Sequence, residues 1–113
     1  MLCIIVVSEE FVASDYGSDC VAIGAQYITN TETCERAASA LQKTVEIEWD
    51  GFLSKLNTPD LQKGCIERKR QLNQYPPRVY FNTALHHISK DYNVKSLCKK
   101  GIKKLISSEK VKI

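Results

Sequence analysis

Five cysteines stand far apart in a chain of 113 residues: Cys3, Cys20, Cys34, Cys65 and Cys98. No two of them form a C-x-x-C pair, so the usual zinc and dithiol redox spacings are missing. Widely spaced single cysteines in a small domain read instead as a disulfide framework, which forms and persists in an oxidising compartment. The competing reading is a set of free buried thiols, since unpaired cysteine packs as a small apolar side chain. A chain of this length makes one domain and buries about two-thirds of its unfolded surface, so its core is modest.

Hydrophobic residues make up 43% of the chain and charged residues 26%, a globular balance and not a disordered one. The net charge of +3 is unevenly spread. Residues 99–113 hold six lysines against the single acid Glu109, a net +5, which leaves residues 1–98 at −2. The body therefore lacks the basic face, interleaved with aromatics, that nucleic acid requires. At the other end, Leu2 to Val7 is an apolar run, and Phe11-Val12-Ala13-Ser14 offers small residues for cleavage. No lysine or arginine precedes the run, and it is shorter than the roughly 7–15 apolar residues of a signal segment. Residues 1–13 thus read equally as a signal remnant or as an N-terminal strand. No stretch approaches the roughly 20 apolar residues of a membrane span.

The strongest local signal is a helix start. Thr29-Asn30-Thr31 offers side chains that cap the orphan N–H groups of a first turn, and Glu32 and Glu35 suit its positive end. A helix over about 32–43 places Cys34, Ala37, Ala38 and Leu41 on one apolar stripe. Residues 14–19 form a polar turn, and Val21 to Ile28 reads as a strand broken by Gly24. Val45, Ile47 and Trp49 alternate with Glu46, Glu48 and Asp50, which predicts a strand with one buried face. Phe52, Leu53 and Leu56 suggest a helical turn or covering loop. Gly64-Cys65-Ile66 enters a strand that becomes exposed at Glu67 to Arg70. Val79 and Phe81, alternating with Tyr80 and Asn82, give its hairpin partner. Residues 84–97 are expected to be a loop or short helix.

Taken in order, Cys20, the Cys34-x-x-Ala37-Ala38-x-x-Leu41 helix, Gly64-Cys65, Val79-Tyr80-Phe81-Asn82 and Cys98 form a pattern. It resembles a four-cysteine domain of predicted secreted and surface proteins of marine algae, protists and simple animals. The resemblance covers residues 20–98 and implies no defined catalytic activity, so it carries over no functional residues. Four cysteines allow three pairings. The expected pairs are Cys34–Cys65, which would rivet the helix to the sheet, and Cys20–Cys98, which would clamp the two ends of the matched region. Cys3 is left over, lost with a signal segment or available for an intermolecular bond.

Other groupings weigh towards bland roles. His86 and His87 are adjacent and point apart on any regular element, whereas zinc needs three or four converging ligands; a solvated loop is the expectation. Glu46, Glu48 and Asp50 share the wet face of an amphipathic strand. No nucleophile elbow, P-loop or dinucleotide motif occurs, and no Asn-x-Ser/Thr site offers a glycan acceptor. Arg68, Lys69 and Arg70, with Arg78, make a basic loop. Lys99, Lys100, Lys103 and Lys104 begin a basic tail in which Ile102, Leu105 and Ile106 follow helical spacing.

These readings define an α+β domain over residues 14–98, one main helix packed on a small antiparallel sheet and stapled by disulfides, with a tail over 99–113. The expected function is a non-catalytic structural or binding module of a secreted, luminal or surface assembly. No cofactor or metal is implied. Its partners are other proteins, with anionic glycans or a membrane surface open to the basic tail and nucleic acid disfavoured. The alternatives are a small secreted effector, inhibitor or toxin-like, acting through the 69–78 loop, and a small hydrolase without a legible motif.

Overall fold

The computed structural model describes residues 10–69 and 76–100. Its helix, α1 (Thr31–Ala40), starts at the capping signal. Asn30 is extended, and its Oδ1 accepts the Thr33 N–H at 2.7 Å. Thr33, Cys34, Ala37 and Ala38 form the buried face. The helix stops three residues earlier than its periodicity suggests. Gln42 adopts a left-handed φ of 58°, while the Gln42 and Lys43 N–H groups bond back to Ser39 and Ala38. This pair of bonds is the Schellman ending, which satisfies the last carbonyls and turns the chain away.

The sheet has six strands: β1 (Phe11–Ala13), β2 (Gln26–Tyr27), β3 (Lys55–Leu56), β4 (Gly64–Arg68), β5 (Arg78–Asn82) and β6 (Val94–Lys99). Its order is β1-β6-β4-β5-β3, with β2 also on β6. Pairing is antiparallel except between β3 and β5. Strand β6 is the spine. Val94 to Ser96 pair with β4, Cys98 and Lys99 pair with β2, and Leu97 to Lys99 pair with β1 on the other side. Gly64 begins β4 with φ +85°, and a Cβ there would stand 3.0 Å from the Ile28 carbonyl oxygen. Only glycine takes this conformation in so narrow a gap without strain.

The α+β class and the β4–β5 hairpin are as expected. Several local expectations are not. Residues 21–28 form a 3-10 turn at Val21–Ile23 and then the two-residue β2, because Gly24 takes a left-handed φ of 72° and ends the turn. The stretch 84–97, expected to be a loop or helix, contains the start of the central strand β6. That strand runs through Lys99, which therefore belongs to the sheet and not to a tail. Strand β1 brings residues 11–13 into the same sheet.

The alternating run at 45–50 is not one strand. The outer neighbour of β5 is built in two pieces. Val79 N–H donates to Thr44 O and Glu46 N–H to Val79 O; then Phe81 N–H donates to Ser54 O and Thr83 N–H to Leu56 O. Residues 47–53 leave the sheet between those pieces. Trp49, expected on the buried face, is 99% exposed.

Side chains cover both faces of the sheet. Under α1 lie Cys34, Ala37 and Ala38 against Cys65, Val79, Phe81 and Leu97. Leu61, Ile66 and Val94 pack on the opposite face, with Leu56 and Tyr80 beside them. Burying each Leu, Ile or Val removes roughly 1.5–3 kcal/mol of apolar exposure. Glu67 points to the helix side and is 4% exposed, against the expectation of a wet strand end. Lys43 Nζ stands 3.3 Å from its Oε1.

Candidate functional site

The four paired cysteines tie the frame together. Cys34 in the first turn of α1 is bonded to Cys65 in β4, with Cα atoms 5.3 Å apart. Cys20, just before the 3-10 turn, is bonded to Cys98 in β6, with Cα atoms 5.6 Å apart. These are the two pairs expected from the sequence, and all four residues are buried. The two bonds are compatible with an oxidising compartment. Cys3 lies outside the described residues.

Two buried amides, invisible to sequence reasoning, stitch the loops onto the sheet. Gln62 Nε2 donates to the Ser18 and Val94 carbonyls, each at 2.9 Å, and its Oε1 accepts the Asp91 N–H at 3.0 Å. Asn82 Nδ2 donates to the carbonyls of Thr58 and Gln62 at 2.8 and 2.9 Å, while its Oδ1 accepts the Thr58 N–H. Both side chains are almost fully buried. Polar residues facing inward from a strand and a loop look like wet positions in the sequence.

The grouping closest to a catalytic constellation surrounds Asp19. Its Oδ2 lies 3.3 Å from His87 Nε2 and 3.3 Å from Lys90 Nζ, and its Oδ1 accepts the Ala22 N–H at 3.0 Å. Burial pushes the Asp19 carboxyl up, but the Ala22 N–H, the Tyr27 hydroxyl and Lys90 more than offset it and hold the carboxyl below its ordinary value. Burial and the Asp19 charge together raise Tyr27 well above the usual phenol range. The imidazole of His87 is not a solvated loop side chain, as had been expected. Its Nδ1 accepts the Lys63 N–H at 3.3 Å, and its ring meets Tyr27 edge-on at 6.0 Å. With Nε2 against Asp19 and Nδ1 on a backbone N–H, both ring nitrogens have partners within the fold. The cluster works as a clasp holding residues 84–90 against the 19–27 segment.

Among the described residues no group of three His, Cys, Asp or Glu side chains converges as a metal site. A groove of about 320 Å³ lies between Tyr27, Lys63, Phe81, Thr83 and Leu85. Neither His86 nor His87 lines it.

The most exposed aromatic side chain among the described residues, Trp49, stands on the excursion at 47–53, a small hairpin. Its neck is closed by the Ser54 N–H on Glu46 O and by the Ile47–Leu53 bridge. Glu48 N–H donates to Phe52 O, Gly51 N–H donates to Glu48 O, and Gly51 has φ +90°. This is a type I turn followed by a left-handed glycine, a common three-residue hairpin loop. Asp50 Oδ1 accepts the Phe52 N–H at 3.0 Å, and Glu48 Oε2 accepts the Ser54 hydroxyl at 2.7 Å. The turn thus holds Trp49 and Phe52 out in water, with Ile47 half out at its base.

Of the basic residues that the sequence offers for partner contacts, Arg68, Lys69, Arg70, Lys99, Lys100, Lys103 and Lys104, four are among the described residues. Arg68 and Lys69 lie at the end of β4, beside Val94, and Lys69 Nζ sits 4.3 Å over the Tyr16 ring. Lys95 covers the same ring at 4.4 Å. Burial and the nearby Glu67 charge raise the Tyr16 phenol. Lys99 and Lys100 lie at the other end of β6, roughly 17 Å away at strand rise. Lys100 Nζ is 3.7 Å from Glu10 Oε1. Arg70, Lys103 and Lys104 fall outside the described residues.

The fold and these features define a disulfide-stapled α+β domain with an exposed, internally hydrogen-bonded aromatic hairpin. No protein-family model, curated protein or solved structure matches the chain.

Proposed function

We propose that the chain is a non-catalytic binding module of a protein assembly in an oxidising compartment, secreted, luminal or on a cell or particle surface. One observation carries the reading. Trp49 is 99% exposed on a hairpin whose backbone and carboxylates are internally bonded. Tryptophan has a large apolar area and is enriched among residues that dominate binding energy at interfaces. Held out by a preorganised turn, it loses little entropy on docking. The two cross-links support the choice of compartment, and the four-cysteine resemblance points the same way.

The test is hydroxyl-radical footprinting of the protein in its native source and after purification. Trp49 should be oxidised at least several-fold more slowly in the native preparation. Equal oxidation in both would overturn the reading.

A further inference from the structure

The hairpin and the lysine-rich segment are chemical complements on one chain. Around Trp49, Glu46 has Arg78 beside it, Nη1 to Oε1 at 3.6 Å. Glu48 and Asp50 bond only to Ser54 and to the Phe52 N–H, and neither pairs with a cation among the described residues. The tip is therefore an exposed indole and phenyl ring flanked by two carboxylates without a cation partner among the described residues. This chemistry attracts an ammonium group, through the carboxylate charge and through the negative face of the indole. It repels phosphate, anionic lipid and nucleic acid.

Residues 101–113 supply four lysines against one glutamate, with Ile102, Leu105 and Ile106 among them. Strand β6 delivers the chain into that segment between β1 and β2, where the Lys100 N–H bonds Glu10 O. The hairpin leaves the sheet beyond β5. β4 and β5 stand between β6 and the hairpin's edge, a separation of about 15 Å at ordinary strand spacing.

We propose that the Trp49 hairpin of one copy binds the lysine-rich 101–113 segment of a second copy. This rests on the reading of the chain as a binding module and names its partner. Lysine ammonium groups sit over Trp49 and against Glu48 and Asp50, and the isoleucine and leucine side chains cover Phe52 and Ile47. The contact joins two different surfaces, so each bound copy still offers one hairpin and one tail. Such head-to-tail contacts extend into open chains unless a rotation closes them.

Sedimentation velocity of the full chain tests this with two variants. A head variant carries Trp49→Ala and Asp50→Asn; a tail variant carries Lys103→Glu and Lys104→Glu. The wild-type chain should associate progressively with concentration. Raising salt from about 50 to about 500 mM should weaken that association several-fold, as expected for exposed charges. Each variant alone should lose association by about 10-fold or more, the scale of a tryptophan hot spot. An equimolar mixture should recover a dimer and nothing larger, since only one intact hairpin and one intact tail can meet.

A monomeric wild-type chain at every concentration would overturn the proposal. So would variants that assemble like wild type, or a mixture that stays monomeric while both variants keep wild-type melting curves. A monomer whose Trp49 fluorescence shifts in the tail variant would mean that the chain's own tail occupies the hairpin, which also overturns it. Footprinting of the purified chain at a dilution where sedimentation shows a monomer separates the two: Trp49 protected in the native source while the chain stays monomeric at every concentration overturns this proposal and leaves the binding-module reading standing.

Discussion

Removing the cross-links one at a time measures how much of the fold they hold. Cys20–Cys98 spans 78 residues of sequence and Cys34–Cys65 spans 31, nested inside it. With the inner bond in place, the outer bond constrains an effective loop of 47 residues, 78 less 31. The chain-entropy relation assigns about 4 kcal/mol to a loop of that size and about 3.7 kcal/mol to the inner one. Small domains have only about 5–15 kcal/mol in total. We therefore expect Cys20→Ala/Cys98→Ala and Cys34→Ala/Cys65→Ala each to remain folded but with little reserve, and the fully reduced chain to unfold near room temperature. Urea unfolding followed by circular dichroism provides the assay. With a slope of about 1.5 kcal/mol per molar, each double variant should lose about 2.5 M from its midpoint. A midpoint shift below about 0.5 M in either variant would refute the argument. It would show that packing of α1 on the sheet, and not restriction of the unfolded chain, holds that part of the fold.

Three further outcomes follow from single sites. Gly64→Ala should cost about 2–3 kcal/mol in chemical unfolding, because a side chain meets both a left-handed φ and the Ile28 carbonyl oxygen; a loss under 0.5 kcal/mol would mean that the turn relaxes freely. Asn82→Leu keeps volume but orphans the Thr58 and Gln62 carbonyls, so it should cost about 3 kcal/mol or more in thermal unfolding, and a near-neutral result would contradict the buried hydrogen-bond hub. Asp19 sets a pH dependence. Its folded carboxyl is held below the ordinary value near 4, so the unfolded chain takes up that proton first as pH falls. Its contribution is complete above pH about 4 and is lost as pH falls through the folded value. Asp19→Asn should lower stability at neutral pH and flatten the acid limb of the urea midpoint, and an acid limb identical to wild type would refute the assignment.

Local chemistry in the sequence was enough for some of this architecture. Asn30 is a capping residue wherever it precedes an apolar stripe, so the start of α1 was legible. Gly64 to Arg68 and Arg78 to Asn82 were legible as a hairpin because one face of each carries apolar residues at period two. The cysteines constrained themselves: once the helix stripe fixed the direction of Cys34 and a strand entry fixed Cys65, few pairings remained. In each case the deciding interaction lies within a few residues, or the covalent bond is specific enough to survive a coarse structure.

Tertiary contacts decided the rest. Val94 to Lys99 is apolar at 94, 97 and 98, which matches neither helix nor half-buried strand, because this central strand is covered on both faces. Glu67, Gln62 and Asn82 look like surface residues until Lys43 and the loop carbonyls arrive from distant parts of the chain. Val45, Ile47 and Trp49 alternate as a strand should, yet the chain leaves the sheet after Glu46, because the edge of β5 is completed by Ser54 to Leu56. That detour puts Trp49 in water. Alternation records only that a run suits a sheet; which neighbour takes the edge hydrogen bonds is settled by residues far away, and that choice turns an expected core tryptophan into the most exposed aromatic residue described.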